Sequence, residues 1–191
     1  MPAHLPNQSA VLMERLARLL RDAEQETGLN SAEWEAMRYL ARCNRFSNAQ
    51  PTLAEYLARA AGTVSLAIIS LEAKGLIEKT RVGDGSRIEL ALTPRGRDLL
   101  GQDPWEALAS EIDELPESLK ERLEDALQHV LVAALAPRGL KTFGLCGTCR
   151  HFRPRGAVGN SGGPHLCGLL QLPLSNDDTK RICAEHSAMA A

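Results

Sequence analysis

The chain has 191 residues, of which 44% are hydrophobic and 24% charged, with a formal net charge of −2. This near-average balance argues against intrinsic disorder and collagen-like structure, and one sizeable core or two small ones fit the length. No run reaches the roughly 20 apolar residues of a membrane helix, and MPAHLPNQSA lacks the pattern of a secretory signal, so a cytoplasmic location is expected. Apolar positions at Leu12, Leu16, Leu19 and Ala23 have helical spacing over 10–27, with Ser9 as N-cap and Gly28 just past the end. Ser31 is expected to cap a second helix carrying Trp34, Met37, Tyr39 and Leu40 and ending near Asn44. Pro51 and Thr52 open a short helix, and Ala60-Ala61-Gly62 forms a tight turn. Thr63 caps the next helix, with Val64, Leu66, Ala67, Ile68 and Leu71 inside it.

Two extended runs, 76–82 and 87–92, flank Gly83-Asp84-Gly85-Ser86 and predict a hairpin. Thr93-Pro94 starts another helix, ended by Gly101. Asp103-Pro104 starts one to about Leu115, and Pro116 one more, with Leu119, Leu123, Leu127, Val130, Leu131 and Leu135 at helical spacing. Near Pro137-Arg138-Gly139 the composition turns from Leu, Ala and Glu to Gly, Cys, Pro and Arg. The division drawn there is a module over 1–136 and a tail over 137–191.

Charge is unevenly spread. Residues 101–136 carry two basic and nine acidic residues, and residues 137–191 seven basic and three acidic. The net charge by itself argues against a nucleic-acid partner, but local fields decide binding. With the acidity confined to one segment, that objection weakens.

Helix, tight turn, helix and hairpin is the order of a winged helix-turn-helix, so the expected class is mainly α with a small β-hairpin wing. The second helix of the pair fits a major groove about 12 Å wide, braced by the first. Thr63, Ser65, Ser70 and Lys74 have outward spacing, and Ala67 suits either an outward or a packed position. Arg81 and Arg87 flank the hairpin tip, in reach of backbone or minor groove. No Arg, Asn or Gln lies in the second helix, so backbone and shape readout gain weight.

Residues 10–136 resemble the MarR family of bacterial winged-helix repressors. The resemblance is carried by Leu53-Ala54-Glu55-Tyr56-Leu57, Gly62-Thr63-Val64-Ser65, Leu71-Glu72-Ala73-Lys74-Gly75-Leu76-Ile77, Asp84-Gly85-Ser86-Arg87 and Leu92-Thr93-Pro94-Arg95-Gly96-Arg97. It implies a DNA-contacting set of Thr63, Val64, Ser65, Ser70, Lys74, Arg81, Asp84, Ser86 and Arg87. Asp84 and Arg87 resemble the wing motif's Asp and Arg, and Gly85-Ser86 stands where the family commonly has Arg. The resemblance also implies a homodimeric repressor of a pseudo-palindromic DNA operator, dimerising through 10–27 and 104–136, with a small-molecule effector of unspecified identity.

Four of the five cysteines share the tail as Cys146-x2-Cys149-x17-Cys167-x15-Cys183. In a reducing compartment, clustered cysteines are more often metal ligands than disulfides. Four thiolates on short Gly-containing loops suit tetrahedral zinc, the preferred assignment, and an iron–sulfur cluster is the alternative. His151 and His186 rank as substitute ligands, and the site is either a structural staple or a redox or metal sensor. Cys43 is expected to be a buried helix residue, with a reactive sensor thiol as the alternative. No paired carboxylates, nucleophile elbow or phosphate loop appear, so no enzyme is expected. The competing functions are a thiol oxidoreductase using Cys146 and Cys149 and a helical scaffold without DNA binding.

Overall fold

The computed structural model describes residues 7–83, 87–157 and 162–188. Its first helix, α1 (Gln8–Gln25), is capped by Asn7, whose side chain accepts from the Ala10 amide, and not by Ser9. Gly28 adopts the left-handed φ of 79° expected just beyond the helix. The second helix, α2 (Ser31–Arg42), begins at a capping box one residue before the expected cap. The Asn30 side chain accepts from the Glu33 amide, and the Glu33 carboxylate accepts from the Asn30 amide.

Helix α3 (Gln50–Leu57) and helix α4 (Ala61–Ala73) form the pair expected from the sequence, and the chain bends by 118° between them. That lies within the roughly 90–120° of a helix-turn-helix. The turn itself differs from expectation. Ala58 takes the left-handed conformation, φ 50°, and closes α3, while Gly62 is already helical. Helix α4 therefore starts two residues before Thr63, which is not its cap; Ala60 stands in the cap position and makes no side-chain cap bond. Among the described residues no single helix is long and apolar enough to cross a membrane.

Strands β1 (Ile77–Val82) and β2 (Arg87–Leu92) pair antiparallel from Ile77 opposite Leu92 to Val82 opposite Arg87. Asp84 and Ser86 lie outside the described residues. Helix α5 (Pro94–Leu100) is capped by Thr93, as expected, and sits close against the start of the wing. A Cβ on Gly96 would stand 2.1 Å from the Leu76 carbonyl oxygen, so only glycine permits that approach. Helices α6 (Pro104–Asp113), capped by Asp103, and α7 (Glu117–Leu135) follow.

Trp34, Met37, Tyr39, Leu53, Val64, Ile68, Leu71, Ile77 and Leu90 build one core from α2, α3, α4 and the wing. Phe143 and Ala184 from beyond residue 137 join the same core, and Phe143 meets the Tyr39 and Tyr56 rings edge-on. The tail is thus packed against the winged helix. It holds a three-stranded antiparallel sheet of β3 (Phe152–Arg153), β4 (His165–Cys167) and β5 (Leu172–Leu174).

The candidate DNA-binding face and the cysteine cavity

Helix α4 buries Val64, Ala67, Ile68 and Leu71 and turns Thr63, Leu66 and Ile69 outward, with Ser65 and Ser70 half-buried at the border. Val64 is 1% exposed, so this member of the expected DNA-contacting set is a core residue, and Ala67 resolves to packing. Leu66, expected inside, is 70% exposed, and Ile69 is 54% exposed. Sequence alone does not separate the two sides of this helix, because its core and surface positions share one residue type. The outward face is hydroxyl and apolar, a chemistry that meets thymine methyl groups as well as phosphates.

Lys74 stands at the far end of α4 and is held there. Its Nζ lies 2.7 Å from a Glu33 carboxylate oxygen and 3.5 Å from the Gly28 carbonyl. Glu33 is buried, which opposes its charge, but the bonds from Lys74, Ser70 and the Asn30 amide outweigh this and hold its carboxyl below the usual 4.5. Lys74 thus ties α4 to α2, while its side chain stays 37% exposed at the edge of the candidate face.

On the wing Arg81 is exposed. Arg87 turns its guanidinium back onto the α2–α3 connection, donating to the Arg45 carbonyl at 3.1 Å and to Asn48 Oδ1 at 3.3 Å. The Leu90 amide donates to the Asn48 carbonyl at 2.9 Å, so residues 45–48 support the wing at two levels.

The same connection carries the tail on its other side. The Ile182 amide donates to the Arg42 carbonyl at 2.8 Å and the Asn44 amide to the Ile182 carbonyl at 2.9 Å. The Ala184 amide donates to Ser47 Oγ at 2.9 Å, Arg45 Nη2 to the Pro173 carbonyl at 2.7 Å, and Arg181 Nη1 to the Ala41 carbonyl at 2.9 Å.

Where the tail meets this connection, all four of its cysteines line one cavity. Cys146 and Cys149 sit on a tight 3-10 turn closed by the Cys149 amide on the Cys146 carbonyl, 3.0 Å. Cys183 is drawn in by its amide on the Gly144 carbonyl at 2.9 Å, and Cys167 by β4 pairing with Phe152. Phe46, Phe152, Leu170 and Leu174 form the apolar wall, and Asn44, His151 and Glu185 complete the lining. The void among them is about 20 Å³, against the roughly 10–15 Å³ that holds one water.

Burial, and then the neighbouring thiols of Cys183, Cys149 and Cys167, push the Cys146 thiol up to about 11. Among the described residues no group of three or more His, Cys, Asp or Glu side chains gathers so as to hold a metal ion. That arrangement by itself supports neither the preferred zinc assignment nor the iron–sulfur alternative. Of the substitute ligands, His151 lines the cavity, while His186 stands outside the lining, its Nε2 3.0 Å from Thr148 Oγ1 and its ring against Gly144. Cys43 is buried at the end of α2, and burial pushes its thiol up to about 11, which makes it a poor thiolate and a poor sensor.

Several solved structures are similar to this chain in fold. The Staphylococcus aureus MepR–DNA complex superposes with a TM-score of 0.54 at 21% identity, covering 67% of this chain and 96% of that one. A MarR transcriptional regulator from Methanosarcina mazei Go1 gives 0.53 at 19%, covering 68% and 95%. CouR from Rhodococcus jostii RHA1, bound to p-coumaroyl-CoA, gives 0.52 at 17%, covering 67% and 94%. The chain shares their winged-helix fold. About a third of it lies beyond what these structures match. No protein-family model and no curated protein matches the sequence.

Proposed function

We propose that the protein is a DNA-binding transcriptional regulator, a homodimeric repressor of a pseudo-palindromic operator. The observation that carries this is the winged helix-turn-helix geometry: α3 and α4 crossing at 118°, with α4 presenting Thr63, Leu66 and Ile69 beside a two-stranded wing that bears Arg81. The similarity to MepR in complex with DNA supports it. In this reading α4 enters the major groove and the wing lies along the backbone or the adjacent minor groove.

The two-fold symmetry of such an operator asks for a two-fold protein. Leu12, Met13, Leu16 and Leu19 of α1 and Leu119, Leu123, Leu127, Val130 and Leu131 of α7 are exposed in the protomer. An apolar face of that extent supports a protein–protein interface, in this reading with a second copy. The acidic segment 101–136 then belongs to the dimer body and stands away from the phosphates. A small-molecule effector, by analogy with CouR and its p-coumaroyl-CoA, and a metal centre in the cysteine cavity that steadies the tail complete the proposal.

The test is a gel shift on random duplex across a salt series, with sedimentation of the free protein. A dimer whose affinity falls steeply with salt is the expected result. Absence of DNA binding at low salt overturns the proposal.

A further inference from the structure

We infer that Cys146, Cys149, Cys167 and Cys183 hold an iron–sulfur cluster, and that the cluster keeps the tail fixed on the segment that supports the wing. The first half stands on the cavity alone. The second rests on the DNA-binding function proposed above.

Two observations lead to a cluster and away from a single ion. A tetrathiolate zinc site puts four sulfurs about 2.3 Å from one point, hence roughly 3.8 Å from one another, and leaves no space among them. Here the four cysteines line a void that admits a water-sized sphere. Four cysteines set around a space with apolar walls, not around a point, suit a group that has its own width, and four thiolates are the ligand set of such clusters.

The second observation is Asn44. It is 1% exposed, it lines the cavity, and its Oδ1 is fixed by the Phe46 amide at 3.1 Å. Its Nδ2 finds no oxygen or nitrogen acceptor and faces the Cys183 sulfur, whose thiolate form it favours. A buried amide donor with only a neutral thiol before it is poorly satisfied. A sulfur made anionic by ligation to iron gives that donor its acceptor, and hydrogen bonds to cluster sulfurs are one of the means by which a protein sets cluster potential.

The link to DNA runs through the α2–α3 connection. Asn44 forms part of the cavity wall, Ser47 receives the Ala184 amide next to Cys183, and Arg45 and Asn48 receive Arg87 of the wing. The cysteine half of the tail is built of short turns and two- and three-residue strands, so ligand binding and its folding are coupled. Without the cluster the tail loosens from residues 42–47, and the supports of the wing loosen with it.

The experiment uses the full-length protein purified without oxygen. The expected result is a brown protein with broad visible absorbance and equal amounts of iron and acid-labile sulfide. A colourless protein that takes up one zinc per chain, or no metal after incubation with ferrous iron and sulfide, overturns the cluster. C167S should lose the colour and keep its helical content by circular dichroism. N44A retains all four thiols; it should bind the same iron and show a lower reduction potential. An unchanged potential overturns the placement of Asn44 against the cluster.

For the coupling, operator or random-duplex affinity is compared between cluster-loaded protein and protein stripped by an iron chelator. About tenfold weaker binding after stripping is expected. Equal affinity overturns the coupling and leaves the cluster standing. If neither form binds DNA, the regulator reading and the coupling fall together, and the absorbance and iron content still decide the cluster.

Discussion

Arg38 donates to both carboxylate oxygens of Asp103, from Nε and from Nη2, each at 2.6 Å. Glu24 joins them at 2.7 Å from Arg38 Nη2, and Trp105 Nε1 donates to Glu24 at 3.1 Å. The guanidinium lies 5.4 Å from the Trp34 ring centre and 5.3 Å from that of Trp105. Burial opposes the charge on Arg38, but its bonds to Asp103 and Glu24 outweigh this and raise its pKa. Asp103 also caps α6 through the Trp105 amide at 3.0 Å. One buried cation thereby ties α1 and α6, both of them in the proposed dimer body, to α2 of the winged helix.

Replacing that cation strands two buried carboxylates. R38A should cost about 3–5 kcal/mol by denaturant titration, because removing one partner of a buried ion group leaves the other unpaired. R38K keeps the charge and loses the fork that matches Asp103, so it should fall between wild type and R38A. Equal stability of R38A and wild type would remove this cluster from the account of how the helices are joined.

Glu33 supplies a pH dependence of defined sign. Its carboxyl titrates below the usual 4.5 in the folded protein, so the folded state binds fewer protons at this site than the unfolded chain does. The stabilisation is therefore full above pH 4.5 and is lost as pH falls through the lower folded value. E33Q should cost about 1–3 kcal/mol at pH 7 and lose part of the acid sensitivity below pH 4.5. An unaltered slope of stability with pH in E33Q would show that the acid response arises elsewhere.

Lys74 and Arg81 should separate cleanly. Lys74 is engaged by Glu33 and Gly28, and Arg81 is exposed on the wing. K74M should lower stability and leave the salt slope of DNA binding unchanged. R81A should leave stability within about 0.5 kcal/mol and reduce that slope by about one. The reverse pattern would place Lys74 among the DNA contacts and take Arg81 out of them.

Much of the winged helix was legible because its signals are local. The Thr93-Pro94 start, the Asp103 cap and the pairing of 77–82 with 87–92 all follow from short-range turn and cap chemistry. The cap of α4 was misplaced because Thr63 looks like a cap, while the chain turns at Ala58 with a left-handed alanine that no residue preference announces. The seat of the tail was invisible. It depends on bonds such as Ala184 to Ser47, 137 residues apart, and Arg181 to Ala41, 140 apart, between residue types with no pairing code. Asn44 was passed over for the same reason: only the tertiary fold brings it beside Cys183.

Leu66 tests whether α4 reads DNA through apolar contact. At 70% exposure it adds little to the core, so L66A should leave stability within about 0.5 kcal/mol. If its side chain meets thymine methyls, L66A should weaken operator binding by about 1 kcal/mol and relax the preference at one base pair. L66E adds a negative charge facing phosphate and should weaken binding to all sequences alike. Full affinity in L66E would place the outward face of α4 away from the groove.

The last expectation concerns α7, where Leu119, Leu123, Leu127 and Leu131 recur every fourth residue and all are exposed. No residue of α7 is buried in the protomer, so its apolar face is left largely uncovered within one chain. Isolated helices of this length are marginal in water, and packing of an apolar face is what normally stabilises them. The double variant L127E/L131E puts two charges on that face. It should sediment as a monomer, lose part of its helical circular dichroism with α7, and keep the core signal of Trp34. Operator affinity should fall because two half-sites are no longer engaged together. A variant that sediments with the mass of the wild-type dimer would show that α7 lies outside the interface and would direct attention to the exposed Leu12, Leu16 and Leu19 of α1.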